Sequence, residues 1–338
     1  MRVLVGLSGG VDSMCAALRL IQSGEYVEGC ALCMHEYTEI DAARKVADAL
    51  GIKLNVVDCR SAFDSVIRTN FVDEYSNGRT PNPCILCNER VKFKMLADFA
   101  EENGFDKIAT GHYAHVEELD GRLTLSVASD EGKDQTYMLY RLPQKILSML
   151  LLPLADMTKS DVRRILRDGG YDISDKPDSQ EICFLPDGNY AEYVERVRGS
   201  FPHGDFIDES GLRLGEHKGI IRYTVGQRKG LGISLGERVF VTNIDPVANT
   251  VTLSREMSGK SEILVSDLAF MGISEDMCDG AEVFVKVRYS AKPIAAKVHL
   301  LPNNTARITF DTPVKAAPGQ SAVAYDEQGR VLFGGFIC

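Results

Sequence analysis

Ser8-Gly9-Gly10-Val11-Asp12-Ser13 is the stretch that decides the fold of this chain. It follows an apolar, β-branched run at residues 3–7, which predicts a buried parallel strand, and it precedes residues 14–20, which predict a helix. Strand, glycine-rich turn and helix form the setting in which backbone N–H groups bind an anion. The glycines let the backbone approach phosphate oxygens closely, and the two serine hydroxyls add donors. The sequence therefore predicts a phosphate site at the start of the first helix.

The turn lacks the lysine of a Walker loop, which holds the β- and γ-phosphates of a nucleotide. Its residues suit a pyrophosphate leaving group and favour transfer of AMP over transfer of a phosphoryl group. Asp12 is suited to help position a metal ion. An ordinary glycine turn is the alternative interpretation. The run resembles the PP-loop of the N-type ATP pyrophosphatases, and the resemblance implies adenylation of a carbonyl oxygen or carboxylate with release of pyrophosphate.

The composition is that of a soluble globular protein. The chain has 338 residues, enough for two or three domains, of which 44% are apolar and 25% charged. No stretch approaches the roughly 18 apolar residues of a membrane span. Because a strand begins at the N-terminus, leaving no room for a signal peptide, we expect a cytoplasmic protein without membrane contact.

The net charge of −10 argues weakly against a large nucleic-acid surface, but the charge is uneven. Residues 211–238 carry six cationic side chains against two acidic ones, and residues 282–307 carry five against one. Solvated loops and strand faces are the alternative interpretation of both segments.

The first half of the chain alternates strands with helices. We predict further strands at residues 26–34, 53–58 and 107–110, with helices at 41–50, 90–103 and 161–169. This rhythm is typical of a doubly wound parallel sheet, in which ligands bind beyond the carboxyl ends of the strands. Ser8, Met34 and Gly111 all lie at such ends, so one pocket is expected to collect them.

From about residue 200 the pattern changes to frequent glycines and short alternating runs, which predict a small β-barrel. The predicted organisation is therefore an α/β domain with a doubly wound parallel sheet over residues 1–188, a small central domain over 189–255 and a C-terminal β-barrel over 256–338.

Thr80-Pro81-Asn82-Pro83-Cys84-Ile85-Leu86-Cys87-Asn88 is the second informative segment. The prolines fix the backbone just before a helix, so Cys87 is expected near a helix N-terminus with a lowered pKa. A lone Cys-x-x-Cys indicates a redox pair or half of a zinc site. Because no second Cys-x-x-Cys follows, a sulfur-handling enzyme is favoured over a structural zinc site, and Cys183 is the distant third thiol.

Together these blocks identify a specific resemblance, to the tRNA-specific 2-thiouridylase (MnmA) family. The similar blocks occur in the family's order over nearly the whole chain: Gly6–Ser13, Gly78–Pro83, Leu86–Asn88, Ala109–Tyr113, Lys133–Gln135, Asp178–Phe184, Gly226–Gly232 and Pro318–Ala322.

The resemblance implies adenylation of the C2 oxygen of the wobble uridine of tRNA, using ATP and Mg²⁺. A persulfide sulfur, supplied by a donor protein, then displaces AMP and gives 2-thiouridine. In this scheme Cys183 carries the persulfide. Cys87 is the nucleophilic partner that releases sulfide or forms a disulfide with Cys183.

The resemblance also implies binding residues. Those expected to hold ATP are Gly6, Leu7, Ser8, Gly9, Gly10, Val11, Asp12, Ser13, Met34 and Gly111. Those expected to contact tRNA are Asn82, Pro83, Cys84, His112, Lys133, Asp134, Gln135, Arg288, Tyr289 and Gln320. No residue is assigned to a resident metal ion. Core packing of Met34 and a satisfied buried imidazole at His112 are the alternatives.

Two departures from the family leave the mechanism open. Many relatives have Asp where this chain has Cys84, so Cys84, Cys87 and Cys183 form a three-thiolate set that could hold an iron–sulfur cluster. The segment between Met34 and Asp41 is also shorter than in many relatives. We favour the persulfide route. The remaining alternatives are another PP-loop adenylating enzyme that modifies tRNA and a non-enzymatic nucleotide-binding scaffold.

Overall fold

A computed structural model describes residues 1–172 and 182–338 of the chain. The last four residues before Ile182 in the Asp178–Phe184 block therefore lie outside the described residues, whereas Cys183 and Phe184 lie within them. In the described ranges, no helix is long and apolar enough to cross a membrane.

The strands, in chain order, are β1 (Arg2–Gly6), β2 (Tyr26–Cys33), β3 (Leu54–Asp58), β4 (Lys107–Ala109), β5 (His115–Leu119), β6 (Arg122–Ser126), β7 (Leu150–Leu151), β8 (Gly204–Ile207), β9 (Arg213–His217), β10 (Phe240–Asp245), β11 (Thr250–Ser254), β12 (Lys260–Phe270), β13 (Glu282–Lys286), β14 (Ile294–Leu301), β15 (Thr305–Val314), β16 (Ser321–Tyr325) and β17 (Val331–Ile337). The α-helices are α1 (Val11–Gln22), α2 (Ile40–Leu50), α3 (Arg60–Phe63), α4 (Thr69–Ser76), α5 (Pro83–Cys87), α6 (Phe93–Glu102), α7 (Thr136–Leu139), α8 (Gln144–Met149), α9 (Lys159–Asp168) and α10 (Tyr190–Arg198). Two π-helical turns, Asp64–Arg68 and Asn88–Lys92, join α3 to α4 and α5 to α6.

The first sheet is parallel throughout, with strand order β3-β2-β1-β4-β7. Alternate side chains of β1 enter two different apolar clusters, Leu4 on one face and Val3 and Val5 on the other. Helices therefore cover both faces of the sheet, which explains the nearly continuous apolar sequence of its central strand. The predicted doubly wound α/β architecture is confirmed.

The second half contains two β-structures rather than one. Strands β8 to β11 form a four-stranded sheet of order β10-β11-β8-β9, and β12 to β17 close a six-stranded barrel. The C-terminal barrel is thus confirmed, whereas the earlier alternating runs belong to the separate sheet. The hairpin of β5 and β6 was not predicted, and the predicted helix at 90–103 in fact continues back through a π-helical turn to Pro83.

The barrel is fixed to the first sheet's helices by buried contacts. The Tyr137 hydroxyl donates to the carbonyl of Ser321 over 2.8 Å, and the ring of Tyr140 covers Gly334, where a Cβ would lie 2.6 Å from the ring. The Pro318 carbonyl accepts a 2.8 Å hydrogen bond from the N–H of Thr80, two residues before Asn82. These contacts place one barrel edge beside the Cys-x-x-Cys segment.

Candidate active site

The predicted phosphate turn has the geometry that its glycines suggested. Gly9 has a φ of 73°, and a Cβ there would lie 2.5 Å from the Cβ of Ala42, so only glycine fits between the turn and α2. The N–H of Gly10 donates to the Ser8 hydroxyl over 3.3 Å. The Ser13 hydroxyl donates to the carbonyl of Gly10 over 3.0 Å. The turn is therefore held by its own hydroxyl groups at the N-terminus of α1.

Gly111 lies directly against this helix start. A Cβ on Gly111 would lie 2.6 Å from the backbone carbon of Asp12 and 2.7 Å from the nitrogen of Ser13. Met34, at the end of β2, lies on the other side of β1, with its Sδ 3.8 Å from the Sγ of Cys87. The carboxyl ends of β1, β2 and β4 thus meet around one region, and Met34 joins it to the cysteines.

A lysine from a distant helix reaches the phosphate turn. The Nζ of Lys159, the first residue of α9, lies 2.7 Å from both carboxylate oxygens of Asp12, although 147 positions separate them. The Tyr113 hydroxyl donates to the same carboxylate over 2.7 Å. Both carboxylate oxygens therefore have protein partners, and the role of Asp12 in positioning a metal ion stays a prediction. The pair brings a cation to the turn.

The Cys-x-x-Cys segment begins a helix, as its prolines predicted. Pro83 is the first residue of α5, and the Asn82 side chain caps the helix by accepting a 3.2 Å hydrogen bond from the N–H of Cys84. Cys87 follows one turn later, 7% exposed, and a π-helical turn starts at the next residue. Single π-helical turns within α-helices are frequent at functional sites.

The expectation of a lowered pKa at Cys87 was wrong. Burial raises the pKa of this thiol to about 12, because the desolvation of a thiolate outweighs the opposing effect of the Lys92 ammonium group. A thiolate on Cys84 or Cys183 would raise it further, so the three thiols lie close enough to influence one another. The position of Cys87 near a helix N-terminus suggested a stabilised thiolate, but burial of the side chain has the larger effect on its pKa.

Cys183 is held in place by its neighbour in sequence. Phe184 is 2% exposed, and its ring centroid lies 5.2 Å from that of Phe71 and 5.5 Å from that of Phe63. The anchored Phe184 leaves Cys183 exposed, and partial enclosure raises the pKa of its thiol to about 11. The structure therefore combines a buried and an exposed thiol from distant parts of the sequence.

The Lys133-Asp134-Gln135 block connects the turn to the barrel. Gln135 accepts a 3.0 Å hydrogen bond from the N–H of Tyr113, the residue whose hydroxyl binds Asp12. Asp134 is buried, accepts a 2.8 Å hydrogen bond from the Thr136 hydroxyl and lies 3.9 Å from the Nζ of Lys286 on β13. The barrel thus contributes a cation to the block.

The barrel residues predicted to contact tRNA differ in exposure and in their contacts within the protein. Arg288 is exposed, and Tyr289 is 38% exposed while its ring lies 6.1 Å from that of Tyr137. Gln320 instead donates a 2.7 Å hydrogen bond to the carbonyl of Thr80. Its amide nitrogen thus ties the barrel to the Cys-x-x-Cys segment.

The imidazole of His112 has a hydrogen-bond partner at Nδ1 and packs against an aromatic ring. Its Nδ1 lies 2.8 Å from the Thr110 hydroxyl, and its ring packs against Phe93 at a centroid distance of 5.4 Å. Burial, with a smaller effect from Lys92, holds the pKa of His112 well below its usual value. The imidazole is therefore neutral, and attraction of phosphate by a charged His112 is not expected.

Four side chains of this region were missed by the sequence analysis: Tyr113, Lys159, Lys92 and Lys286. Lys159 left one signal, because a lysine in the first turn of a helix opposes the helix dipole. Lys286 left none. It lies on β13, where Val283 and Val285 face the barrel core, and nothing local indicates what the other face meets.

Removal of the Lys92 charge is expected to raise the thiol pKa values. Burial raises the pKa of Cys84, Cys87 and Cys183, and the ammonium group of Lys92 opposes that effect. Lys92→Met should therefore raise the pKa of Cys183 further, by about one unit, the lower end of the effect of a nearby opposite charge. Alkylation of Cys183 between pH 7 and 9, read by mass spectrometry, should slow about tenfold at each pH.

Lys94→Met is the matched control, since Lys94 is paired with Asp98 on the exposed side of α6. An unchanged alkylation profile in the Lys92 variant would show that this charge does not act on the thiols.

Within residues 1–172 and 182–338, no group of three or more His, Cys, Asp or Glu side chains is placed to hold a metal ion. The geometry of Cys84, Cys87 and Cys183 therefore does not fit an iron–sulfur cluster in this conformation.

Comparison with known families gives three consecutive matches. A model described as the tRNA methyl transferase HUP domain matches residues 1–187. The tRNA methyl transferase PRC-barrel domain matches 191–255, and the aminomethyltransferase beta-barrel domain matches 260–337.

Curated relatives match over the full length. The chain is 42% identical to the tRNA-specific 2-thiouridylase MnmA of Clostridium perfringens, covering 99% of this chain and 98% of that protein. It is 41% identical to the protein of the same name from Clostridioides difficile, covering 99% and 97%. Among solved structures, a 4-thiouridine synthetase in complex with RNA and ATP is 20% identical, with a TM-score of 0.39, over 58% of this chain and 50% of that one.

Proposed function

The chain belongs to the tRNA-specific 2-thiouridylase family, and we propose that it thiolates the wobble uridine of tRNA at C2 in an ATP-dependent reaction. The enzyme adenylates the C2 oxygen and then replaces it with sulfur from a cysteine persulfide. MgATP is a substrate, tRNA is the acceptor, and a persulfide-bearing protein supplies the sulfur.

This proposal rests on one observation: the phosphate turn and the Cys87 thiol lie at the same edge of the parallel sheet. A turn suited to pyrophosphate starts α1, and Gly111 packs against it. Met34, from the neighbouring strand end, contacts the Sγ of Cys87. An enzyme that only adenylates its substrate has no need for buried and exposed thiols beside its nucleotide site.

Adenylation requires stabilisation of the departing pyrophosphate. The uridine oxygen attacks the α-phosphorus, and negative charge accumulates on the pyrophosphate as the P–O bond breaks. The N–H groups at the start of α1, the hydroxyls of Ser8 and Ser13 and the ammonium group of Lys159 are the donors nearest to that charge. Lys159 serves as the cation that the turn itself lacks, and Asp12 with Tyr113 holds it in position.

Sulfur transfer then uses the two thiols in different roles. Cys183 is exposed, so it can accept sulfur from a donor protein and carry it as a persulfide. Cys87 is buried beside Met34; as it loses its proton, its sulfur attacks the Cys183 sulfur, breaks the S–S bond of the persulfide and releases sulfide, which can take up that proton. The sulfide attacks C2 of the adenylated uridine and AMP leaves, while Cys87 and Cys183 remain as a disulfide.

We assign tRNA contacts to groups at the rim of this region. Arg288 and Tyr289 are exposed on the barrel, and the half-buried Lys133 precedes the buried Asp134, which is bound to Thr136. Gln320 and His112 shape the rim through their contacts with Thr80 and Thr110. Asn82 and Pro83 fix the start of α5, the cysteine helix that carries Cys84 and Cys87.

The decisive experiment measures pyrophosphate release and nucleoside products together. The purified protein, MgATP and unmodified tRNA are expected to release pyrophosphate only when tRNA is present. With a protein persulfide added, mass spectrometry of the tRNA nucleosides should detect 2-thiouridine. Release of pyrophosphate without 2-thiouridine would instead identify another adenylating enzyme, and absence of tRNA-dependent release would reject adenylation altogether.

The exposed pair Arg228 and Lys229 is expected to bind tRNA phosphates. Its loop is tied to the cysteine segment, because the hydroxyls of Thr224 and Thr80 lie 3.2 Å apart. The double replacement Arg228→Ala/Lys229→Ala should weaken tRNA binding and reduce the slope of log affinity against log salt by roughly one unit for each lost phosphate contact. Filter binding at several salt concentrations measures that slope.

A control of equal charge is Arg44→Ala/Lys45→Ala, an exposed pair on α2. Equal salt slopes in wild type and in the Arg228/Lys229 variant would place this loop away from the tRNA.

A further inference from the structure

The cysteine helix presents a third thiol that neither step of the proposed reaction uses. Cys84 and Cys87 lie three residues apart on α5, so their side chains occupy one face of the helix. Cys84 is exposed, whereas Cys87 is 7% exposed. The same face of the helix therefore carries an accessible thiol directly above a buried one.

This difference in exposure matters at the end of each catalytic cycle. Under the proposed function, sulfide release leaves a disulfide between Cys87 and Cys183, and this disulfide must be reduced before Cys183 can accept sulfur again. The Cys87 sulfur lies beneath the helix surface against Met34, so an external dithiol can attack this disulfide only at the exposed Cys183. Attack there leaves the dithiol bound to the sulfur that must be reloaded, whereas attack on Cys87 by a thiol of this chain frees Cys183 directly.

We propose that Cys84 is the resolving thiol, which attacks the Sγ of Cys87 in the Cys87–Cys183 disulfide and releases Cys183. This inference rests on the proposed function. One S–S bond forms between Cys84 and Cys87 as the bond between Cys87 and Cys183 breaks, and the electron pair leaves with the Cys183 sulfur, which takes up a proton. The exchange involves no net oxidation.

A second step restores the starting state. An external dithiol attacks the exposed Cys84 sulfur, then closes on itself as a disulfide, and supplies the two electrons and two protons that return Cys84 and Cys87 to thiols. Cys183 is already free at that stage, so it can be reloaded with sulfur while the Cys84–Cys87 disulfide awaits reduction.

The backbone spacing suits the exchange. Residues three apart on an α-helix have Cα atoms about 5 Å apart, within the roughly 4.4–6.8 Å at which a disulfide forms. Their Cβ atoms, about 5–6 Å apart, must approach to roughly 3.5–4.5 Å as the bond closes. Cys84 is the second residue of α5, and its backbone is fixed by the Asn82 cap and by Pro83. Burial raises the pKa of Cys84 and of the leaving Cys183, and the ammonium group of Lys92 partly opposes this effect at both thiols.

Peptide mapping distinguishes the two disulfides. Trypsin cleaves after Arg79 and Arg90, so Cys84 and Cys87 lie in one peptide, and Cys183 lies in another. After one turnover without reductant and rapid alkylation, we expect wild type to contain the internally bridged 80–90 peptide with Cys183 alkylated. In Cys84→Ser, the same peptide should be cross-linked to the one that carries Cys183.

Turnover gives the functional readout. With a dithiol protein as reductant, Cys84→Ser is expected to form one equivalent of 2-thiouridine and then slow by about tenfold or more, because reduction must then proceed by attack at Cys183. A small phosphine reductant at high concentration should restore turnover. Cys338→Ser, which replaces an exposed cysteine at the end of the chain, is the control and should turn over like wild type.

The outcomes separate this inference from the function on which it rests. If wild type forms no 2-thiouridine, the proposed function fails. If wild type turns over and Cys84→Ser matches it with the dithiol protein, or forms no first equivalent, Cys84 is not the resolving thiol. An 80–90 peptide of wild type that never becomes internally bridged would overturn the inference equally.

Discussion

Replacement of Cys87 or of Cys183 by serine is expected to abolish formation of 2-thiouridine while tRNA-dependent pyrophosphate release continues. Each variant removes one of the two sulfurs of the transfer step, and a serine hydroxyl can neither carry a persulfide nor attack one at neutral pH. The loss should be about 10³-fold or more, the scale on which removal of a covalent nucleophile lowers a rate. Pyrophosphate release and nucleoside mass spectrometry, run on one reaction, measure both steps.

The separation of the two steps is the informative part of this experiment. Cys87 contacts Met34, whereas the hydrogen bonds of the phosphate turn join Ser8, Gly10 and Ser13 to one another. Serine has nearly the volume of cysteine, so the buried site should remain packed. Cys338→Ser serves as the control. Full thiolation by Cys87→Ser would exclude the persulfide route, and loss of pyrophosphate release in Cys183→Ser would show that the thiol acts in adenylation.

The sequence predicted those features that depend on local pattern. The apolar run before Ser8 and the glycines after it predicted β1, the turn and α1, because strand burial and turn conformation depend on adjacent residues. The α/β alternation of the first half led to the parallel sheet for the same reason. Pro81 and Pro83 likewise predicted a helix start in the Cys-x-x-Cys segment, where α5 begins.

The features that the sequence did not predict depend on contacts between distant segments. Lys159 reaches Asp12 across 147 positions, and Lys286 reaches Asp134 from the barrel. The Cys87 thiol is the clearest case. Its position near a helix start suggested a low pKa, but burial against other segments raises the pKa to about 12. The local sequence predicts the effect of the helix dipole on the thiol pKa. Only the packed structure shows the desolvation that opposes this effect.

Replacement of Lys159 by methionine is expected to lower tRNA-dependent pyrophosphate release by about 10²–10³-fold, the scale on which loss of one donor to a developing anion slows an enzyme. The ammonium group lies at the N-terminus of α1, 2.7 Å from both oxygens of Asp12. Because negative charge grows on pyrophosphate as the bond breaks, the loss should appear mainly in kcat and less in the KM for ATP. Initial rates at varied MgATP concentration measure both constants.

The expected pattern distinguishes a catalytic cation from a structural ion pair. The Asp12 carboxylate is one-third exposed, so the loss of its partner should cost only about 0–1 kcal/mol of stability, which thermal unfolding can check. Lys53→Met removes a lysine paired with Glu28 at the opposite end of the strands and should leave kcat unchanged. Asp12→Asn should also lower kcat, since it leaves Lys159 without the carboxylate that positions it. If Lys159→Met lost stability but kept its kcat, the lysine would be a structural partner of Asp12, and the charge of the departing pyrophosphate would have to be met by the backbone and hydroxyl donors of the turn alone.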